Sequence, residues 1–206
     1  MVKNILFDFD GVILNSMPIK EFGFREIFRE YPQEYVEELI NFHNRNGGIS
    51  RFIKIEYFFN DILKERISQE RVLELADEFS EIMRRELVNK KYLIKETIDF
   101  LEMAKDRFQL HIVSGAEERE LQFLCQKLDV EKYFITINGS PTPKKFLVQK
   151  LMDRFQYKRE ETILIGDSKN DREASAENGI TFYGFNNTQL KEDGCKYIDS
   201  FNNFKI

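Results

Sequence analysis

The chain has no tryptophan and only two cysteines and two histidines among its 206 residues, and each shortage removes a class of chemistry. Cys125 and Cys195 stand far apart, with no C-x-x-C or histidine-paired spacing, so neither a zinc site nor a disulfide framework is indicated. Both thiols read as packing or surface groups. No long basic block stands out: 31 Lys and Arg against 36 Asp and Glu leave a formal charge of −5, which argues against a nucleic-acid partner and towards small-molecule chemistry. No apolar run is long enough to cross a bilayer, and Met1-Val2-Lys3-Asn4 enters a strand without signal-peptide features. A cytoplasmic protein with no membrane partner is the expectation. Low-complexity tracts and internal repeats are absent too. What remains, with 42% hydrophobic content and 20 Phe, suffices for one full Phe-rich core plus a smaller appended unit.

Chemistry first shows at Asp8-Phe9-Asp10-Gly11, which closes the apolar-rich run from Val2 to Phe9. Side chains alternate along a strand, so Asp8 and Asp10 start on one side while Phe7 and Phe9 face packing. Carboxylates so close repel unless a divalent cation or a shared proton relieves them, and Gly11 allows a sharp turn or a close approach of backbone to ligand. The same string also serves as ordinary turn chemistry.

From Met17 to Lys90 the signals are helical. Val36, Leu39 and Ile40 share a helical face, as do Phe52, Ile55 and Phe59, and Val72, Ala76, Phe79, Met83 and Leu87 recur at steps of three or four behind a Ser68 N-cap. From Lys91 the pattern alternates: helix 94–106, strand 110–113, helix 116–128, strand 134–137, helix 144–155, strand 162–165, helix 171–178 and strand 181–183. Such alternation implies a parallel sheet covered by helices on both faces. The opening strand, Lys3 to Phe9, finds partners only in that later sheet. The expected fold class is therefore α/β, a doubly wound parallel sheet formed by 1–16 and 91–206, with a helical domain, 17–90, inserted.

Open α/β sheets bind ligands beyond the carboxyl ends of their strands. Strand one ends in Asp8 and Asp10, the second in Ser114-Gly115, the third leads to Lys144, and the fourth ends in Gly166-Asp167-Ser168-Lys169-Asn170-Asp171. Ser114 and Gly115 before a helix make a natural phosphate seat, or simply a good cap. Lys144 at a helix start opposes the helix dipole and calls for an anion, although with Lys145 it also reads as a solvated basic pair. Asp167 and Asp171 add carboxylates near Asp8. Oxygen-rich, histidine-free ligation suits magnesium, while loop aspartates that cap the next helix are the plainer alternative.

Taken in order, these strings resemble the haloacid dehalogenase superfamily, in its phosphatase branch with a helical cap after the first motif, the group that includes phosphoglycolate phosphatases and β-phosphoglucomutases. The matching residues are Phe7-Asp8-Phe9-Asp10-Gly11-Val12, Ile112-Val113-Ser114-Gly115, Lys144, and Ile165-Gly166-Asp167-Ser168-Lys169-Asn170-Asp171. The resemblance implies a Rossmann-like core, Mg²⁺ as cofactor and phosphoryl transfer through an aspartyl-phosphate on Asp8. It makes Asp10 the acid and base, places Ser114 and Lys144 on the phosphoryl oxygens, and gives the metal to Asp8, Asp10 through its carbonyl and Asp167, with Asp171 either a direct ligand or a support behind the ligands. The second aspartate argues against a metal-free dehalogenase. Asn15 departs from the acidic residue that many relatives carry before the serine matched by Ser16.

Within the inserted segment, His43-Asn44-Arg45-Asn46-Gly47-Gly48-Ile49-Ser50-Arg51-Phe52-Ile53-Lys54 resembles the family's substrate-specificity loop. Arg51 and Lys54, three apart, share a helical face and suit an anionic or polyhydroxylated phosphoester, with Gly48 and Gly115 as further substrate contacts. His43 reads as a surface polar group and His111 as a packed core residue. The expected function is a Mg²⁺-dependent phosphomonoesterase for a small phosphorylated metabolite, a sugar phosphate ahead of phosphoglycolate, in a monomer or small homo-oligomer. A sugar phosphomutase, a phosphonatase using a cap lysine such as Lys54 or Lys20, and a catalytically silent regulatory relative are the alternatives.

Overall fold

A computed structural model describes the whole chain, Met1–Ile206. Six strands, β1 (Asn4–Phe7), β2 (Gln109–Glu117), β3 (Thr136–Ser140), β4 (Thr162–Gly166), β5 (Thr181–Phe185) and β6 (Lys196–Ile198), form one parallel sheet in the order β3-β2-β1-β4-β5-β6. The first strand in sequence thus lies in the middle. It is buried along its whole length, which is why Asn-Ile-Leu-Phe lacks the polar alternation of a half-exposed strand.

Nine α-helices accompany the sheet: α1 (Met17–Ile27), α2 (Gln33–Arg45), α3 (Arg51–Tyr57), α4 (Gln69–Glu86), α5 (Lys95–Ala104), α6 (Glu118–Lys127), α7 (Lys144–Phe155), α8 (Lys169–Asn178) and α9 (Thr188–Glu192). Ser68 caps α4 by accepting the Arg71 N–H, as its spacing suggests. The α3 helix widens into a π-helical stretch over Phe58–Leu63. There Phe28 and Phe58 lie 4.0 Å apart with Tyr31 edge-on at 5.1 Å from Phe58, an aromatic core for the helical segment. Its outgoing and returning chains run side by side: Asn15 N–H donates to the Tyr92 carbonyl and Ile94 N–H to the Ile13 carbonyl.

Ile5 and Phe7 face one side of the sheet, with Ile112 and Ile165, in a core continuous with that of the helical segment. Leu6, Val113 and Leu164 face the other side, under Val148 and Leu151 of α7 and Ala174 of α8. Phe7 is fully buried among Phe100, Phe134 and Phe201, with ring centroids 6.0–6.5 Å away.

Several boundaries differ from the sequence expectation for local reasons. β1 stops at Phe7 rather than Phe9, because Asp8 Oδ1 accepts the Phe9 N–H and Gly11 then turns the chain at φ +73°. β2 runs on to Glu117, where it pairs with Ser140 beyond an irregularity, so α6 begins at Glu118 and Asn138-Gly139-Ser140 is strand rather than loop. The short α9 and β6 carry too few residues to show a period.

Phe7→Ala should cost about 3–5 kcal/mol in chemical denaturation, whereas Phe146→Ala, at a position 47% exposed, should stay within about 0.5 kcal/mol. Equal losses would contradict this placement of the core.

Candidate active site

Register sets the site. Phe7 pairs with Ile112 of β2 on one side and Ile165 of β4 on the other, so Asp8, one residue on, and Ser114 and Asp167, each two residues on, emerge at one rim. The Asp8 N–H still donates to the Ile165 carbonyl at 2.9 Å, which fixes the first carboxylate against β4. Gly11 is required here twice over, since a Cβ would meet positive φ and collide with the Asp167 carboxylate.

Lys144, first residue of α7 and fully buried, places Nζ 3.0 Å from Asp8 Oδ2 and donates to Asp171 Oδ1. Asp171 Oδ2 accepts from the Ser168 N–H at 3.1 Å and from its hydroxyl, in a capping box that starts α8. Both Asp171 oxygens are thus engaged, and its carboxylate buttresses Lys144. Asp8, Asp167 and Asp171 bring ligand atoms within 4.8 Å of one another, an all-oxygen group able to hold a metal ion. One ammonium stands against three carboxylates, a local excess of two negative charges.

That excess shows in the proton affinities. Burial first, then the Asp171 charge, push Asp8 up to about 7 against the pull of Lys144. Burial and the Asp8 carboxylate drive Asp167 well above the ordinary range. Lys144 also suffers from burial, but Asp171 and Asp8 more than offset it and hold its ammonium firmly charged.

Asp10 stands outside this group. Its Oδ1 accepts from Ser16 Oγ at 2.5 Å and its Oδ2 from the Lys20 ammonium of α1. Burial alone would raise its pKa; Lys20 outweighs burial and holds the carboxyl below the usual range. Any metal contact from Asp10 falls to its backbone carbonyl. Ser114, fully buried, accepts the Ala116 N–H at 3.1 Å, and Gly115 presses on the Gly48 carbonyl so closely that a Cβ would clash. Asn170 clasps the same carbonyl at 2.8 Å. The Gly47-Gly48 turn is thereby held over the rim, above a cleft of about 510 Å³ whose wall includes Asp167 and the carboxamides of Asn44, Asn46, Asn170, Asn187 and Gln189.

The two cations expected to meet substrate are both buried in the helical segment. Arg51 gives its fork to Glu120 of α6, at 2.5 and 2.7 Å, and also donates to Ser80 at 2.7 Å with Phe79 beneath it. Lys54 Nζ lies 2.8 Å from His43 Nδ1 and 3.4 Å from the Gly47 carbonyl. His43 is not the surface group its polarity suggests: it is fully buried, because α2 turns it inward onto Phe24 at 5.1 Å. Burial, then Lys54, depress its pKa to about 2. His111 is packed and bonded to Thr136 and Tyr157, as expected of a core residue.

Several contributors were given no part in the phosphatase site by the sequence. Lys20 lies one helical turn past Ser16, where only the partner Asp10 gives it meaning. Glu120 looks like any acidic residue of a first helical turn. Asn186 and Asn187 hold the Gly11 and Asp167 carbonyls and follow β5, so the strand-end rule that found the other tips applies to them as well.

Comparison with known proteins gives the family. The family model for haloacid dehalogenase-like hydrolases matches residues 5–185. The chain is 25% identical over 186 residues to a phosphorylated carbohydrates phosphatase of Thermotoga maritima, covering 87% of this chain and 82% of that protein. It is 25% identical over 200 residues to a phosphoglycolate phosphatase of Vibrio parahaemolyticus, covering 89% and 83%. Among solved structures, a β-phosphoglucomutase from Clostridium difficile superposes with a TM-score of 0.77 at 18% identity, over 100% of this chain and 94% of that one, a likeness of fold.

Two outcomes test the buried charges. Glu120→Gln leaves a buried guanidinium short of its carboxylate and should cost about 3–5 kcal/mol in denaturant unfolding, with much of the loss recovered when Arg51→Met is added; a neutral single variant would contradict the pairing. His43, at about 2 when folded, stays neutral while the unfolded chain takes up its proton near 6.5. The unfolded state then binds more protons, so stability falls as pH drops below that value, by up to ~1.4 kcal/mol per pH unit from this group. His43→Gln should flatten the slope of unfolding free energy between pH 6 and 4; an unchanged slope would place His43 in solvent.

Proposed function

Because the chain belongs to the haloacid dehalogenase-like hydrolase family and is a phosphatase within it, we propose that it is a Mg²⁺-dependent phosphomonoesterase acting on a small phosphorylated carbohydrate or related polyol phosphate. The observation that carries this reading is the buried excess of negative charge at Asp8, Asp167 and Asp171 beside a single lysine. Oxygen donors alone and a deficit of two positive charges match a hard divalent ion. Asp8 and Asp167, with the Asp10 carbonyl, would hold it, and when bound it neutralises charge between nucleophile and phosphate.

The chain's own residues supply the rest. An Asp8 oxygen attacks phosphorus, the bond to the ester oxygen breaks, and an aspartyl-phosphate forms; water then attacks that phosphorus and releases phosphate. Ser114 and Lys144 hold phosphoryl oxygens, and Asp171 keeps Lys144 in place. Asp10, ionised beside Lys20, is prepared to take the proton of the attacking water. To protonate the leaving oxygen it must first lose Lys20, which rides on α1, and take up a proton from solvent, so movement of segment 17–90 as a cap over the 1–16 and 91–206 core would link opening and closing to proton transfer. The carboxamide-lined cleft beside Asp167 offers donors and acceptors suited to hydroxyl groups, and the likeness to a phosphorylated carbohydrates phosphatase points the same way.

Hydrolysis of p-nitrophenyl phosphate should require Mg²⁺, vanish with EDTA and fall at least about a thousandfold in Asp8→Asn. Activity that survives either treatment would overturn the mechanism.

A further inference from the structure

Past Asp8 no backbone hydrogen bond joins the tip of β1 to the tip of β4. The two tips nevertheless touch, since a Cβ on Gly11 would run into the Asp167 carboxylate. What fastens their backbones comes from a third strand. Immediately after β5, Asn186 donates its carboxamide N–H to the Gly11 carbonyl at 3.1 Å, and Asn187 donates to the Asp167 carbonyl at 2.7 Å. β5 pairs with β4 and not with β1, so Asn186 reaches across the end of β4 to hold its target. Adjacent residues of one tip thus tie together two loops that carry carboxylates of the site.

The tip is itself anchored. Asn186 takes φ +54°, a left-handed conformation that asparagine tolerates. Asn187 accepts the Gln189 N–H on Oδ1 at 3.2 Å and the Leu190 N–H on its carbonyl at 3.1 Å, which starts α9. Leu190 is fully buried and packs so closely on Gly184 that a Cβ there would crowd it. Both donors are therefore presented from a base that packing holds still. Gly11 is held from its other end as well, by its N–H on the Leu14 carbonyl at 2.8 Å. That N–H lies in the same rigid plane as the Asp10 carbonyl, so the carbonyl is oriented with it.

Of the donors that would hold Mg²⁺, Asp8 and the Asp10 carbonyl belong to the β1 tip and Asp167 to the β4 tip. The spacing of the tips is therefore the spacing of the donors. Mg²⁺ takes oxygens at about 2.0–2.1 Å and Ca²⁺ at about 2.3–2.6 Å in larger, more flexible shells, so a frame that resists spreading favours the smaller ion. We propose that Asn186 and Asn187 are positioning residues that set ion selectivity: by clamping Gly11 to Asp167 they keep the site at the size of Mg²⁺ and disfavour Ca²⁺. The proposal rests on the Mg²⁺-dependent reading above and adds to it the residues that decide which ion is accepted. Neither carboxamide is a ligand; each acts through the backbone of a ligand-bearing loop. Asn187, half-buried and with the shorter bond, carries more of the effect than the exposed Asn186.

The test is calorimetric titration of Mg²⁺, and separately of Ca²⁺, into the full chain without substrate. Asn187→Ser keeps a side-chain oxygen to cap α9 but is too short to reach the Asp167 carbonyl, and Asn186→Gly keeps the left-handed backbone while removing the carboxamide. Mg²⁺ affinity should fall by about tenfold in Asn187→Ser and by less in Asn186→Gly, while Ca²⁺ affinity changes by less than about twofold. The preference for Mg²⁺ over Ca²⁺ then shrinks in the order wild type, Asn186→Gly, Asn187→Ser. Thermal unfolding in EDTA checks that each variant folds, and should Asn187→Ser fail to, Asn186→Gly still reports the ratio. A parallel loss for both ions would make the tip a plain structural brace and overturn the proposal. So would ratios equal to that of the wild type in both variants, or a wild type that binds Ca²⁺ the more tightly. Those results leave the Mg²⁺-dependent reading standing as long as the wild type binds Mg²⁺; a wild type that binds none removes both.

Discussion

Three carboxylates buried around one lysine are the constraint on which the rest of the structure depends. Such a cluster is costly unless geometry and counter-charge are both supplied. The backbone supplies the geometry: parallel register brings β1 and β4 to one level, Gly11 leaves room for Asp167, and the Ser168 capping box fixes Asp171 so that Lys144 is held from two sides. A buried α/β sheet with deep apolar faces is the frame that can carry this expense, and the Phe7 cluster directly behind Asp8 makes that frame stiff where the chemistry is placed. Lys144 supplies one counter-charge, and burial with mutual repulsion raises the proton affinity of Asp8 and Asp167.

Seen as a balance of charge, the rest of the cleft is largely closed. Asp10 is matched by Lys20 and Ser16, and Arg51 by Glu120 and Ser80. Both pairings join the helical segment to the sheet domain or to the first-strand loop, so the same contacts that neutralise the cleft also hold its two walls together. One imbalance persists, among the carboxylates of Asp8 and Asp167. It lies beside the turn that carries Gly48, which Asn170 and Gly115 pin in place.

Much of the frame was legible in the sequence, because parallel strands announce themselves as apolar runs and their carboxyl ends as the place for chemistry. Asp8, Ser114, Lys144, Asp167 and Asp171 could be placed on one rim from strand ends alone. What could not be read is which charge answers which. Lys20 and Glu120 look like ordinary helix-surface residues until the segment 17–90 folds over the core, and Arg51 and Lys54, similar by spacing, then take different partners. His43 was misjudged for the same reason: polarity predicts solvent, while the inward face of α2 is a tertiary fact. Strand limits at Phe7 and Glu117 likewise depend on a side-chain bond and on an irregular pairing rather than on any pattern of hydrophobicity.

The most direct examination of the central claim is a crystal of the protein grown with Mn²⁺ in place of Mg²⁺ and measured at the manganese absorption edge. One anomalous peak between the carboxylates of Asp8 and Asp167, lost in Asp167→Asn, is the result this account predicts. A peak elsewhere, or none at millimolar Mn²⁺ with Asp8 and Asp167 unchanged, would contradict it.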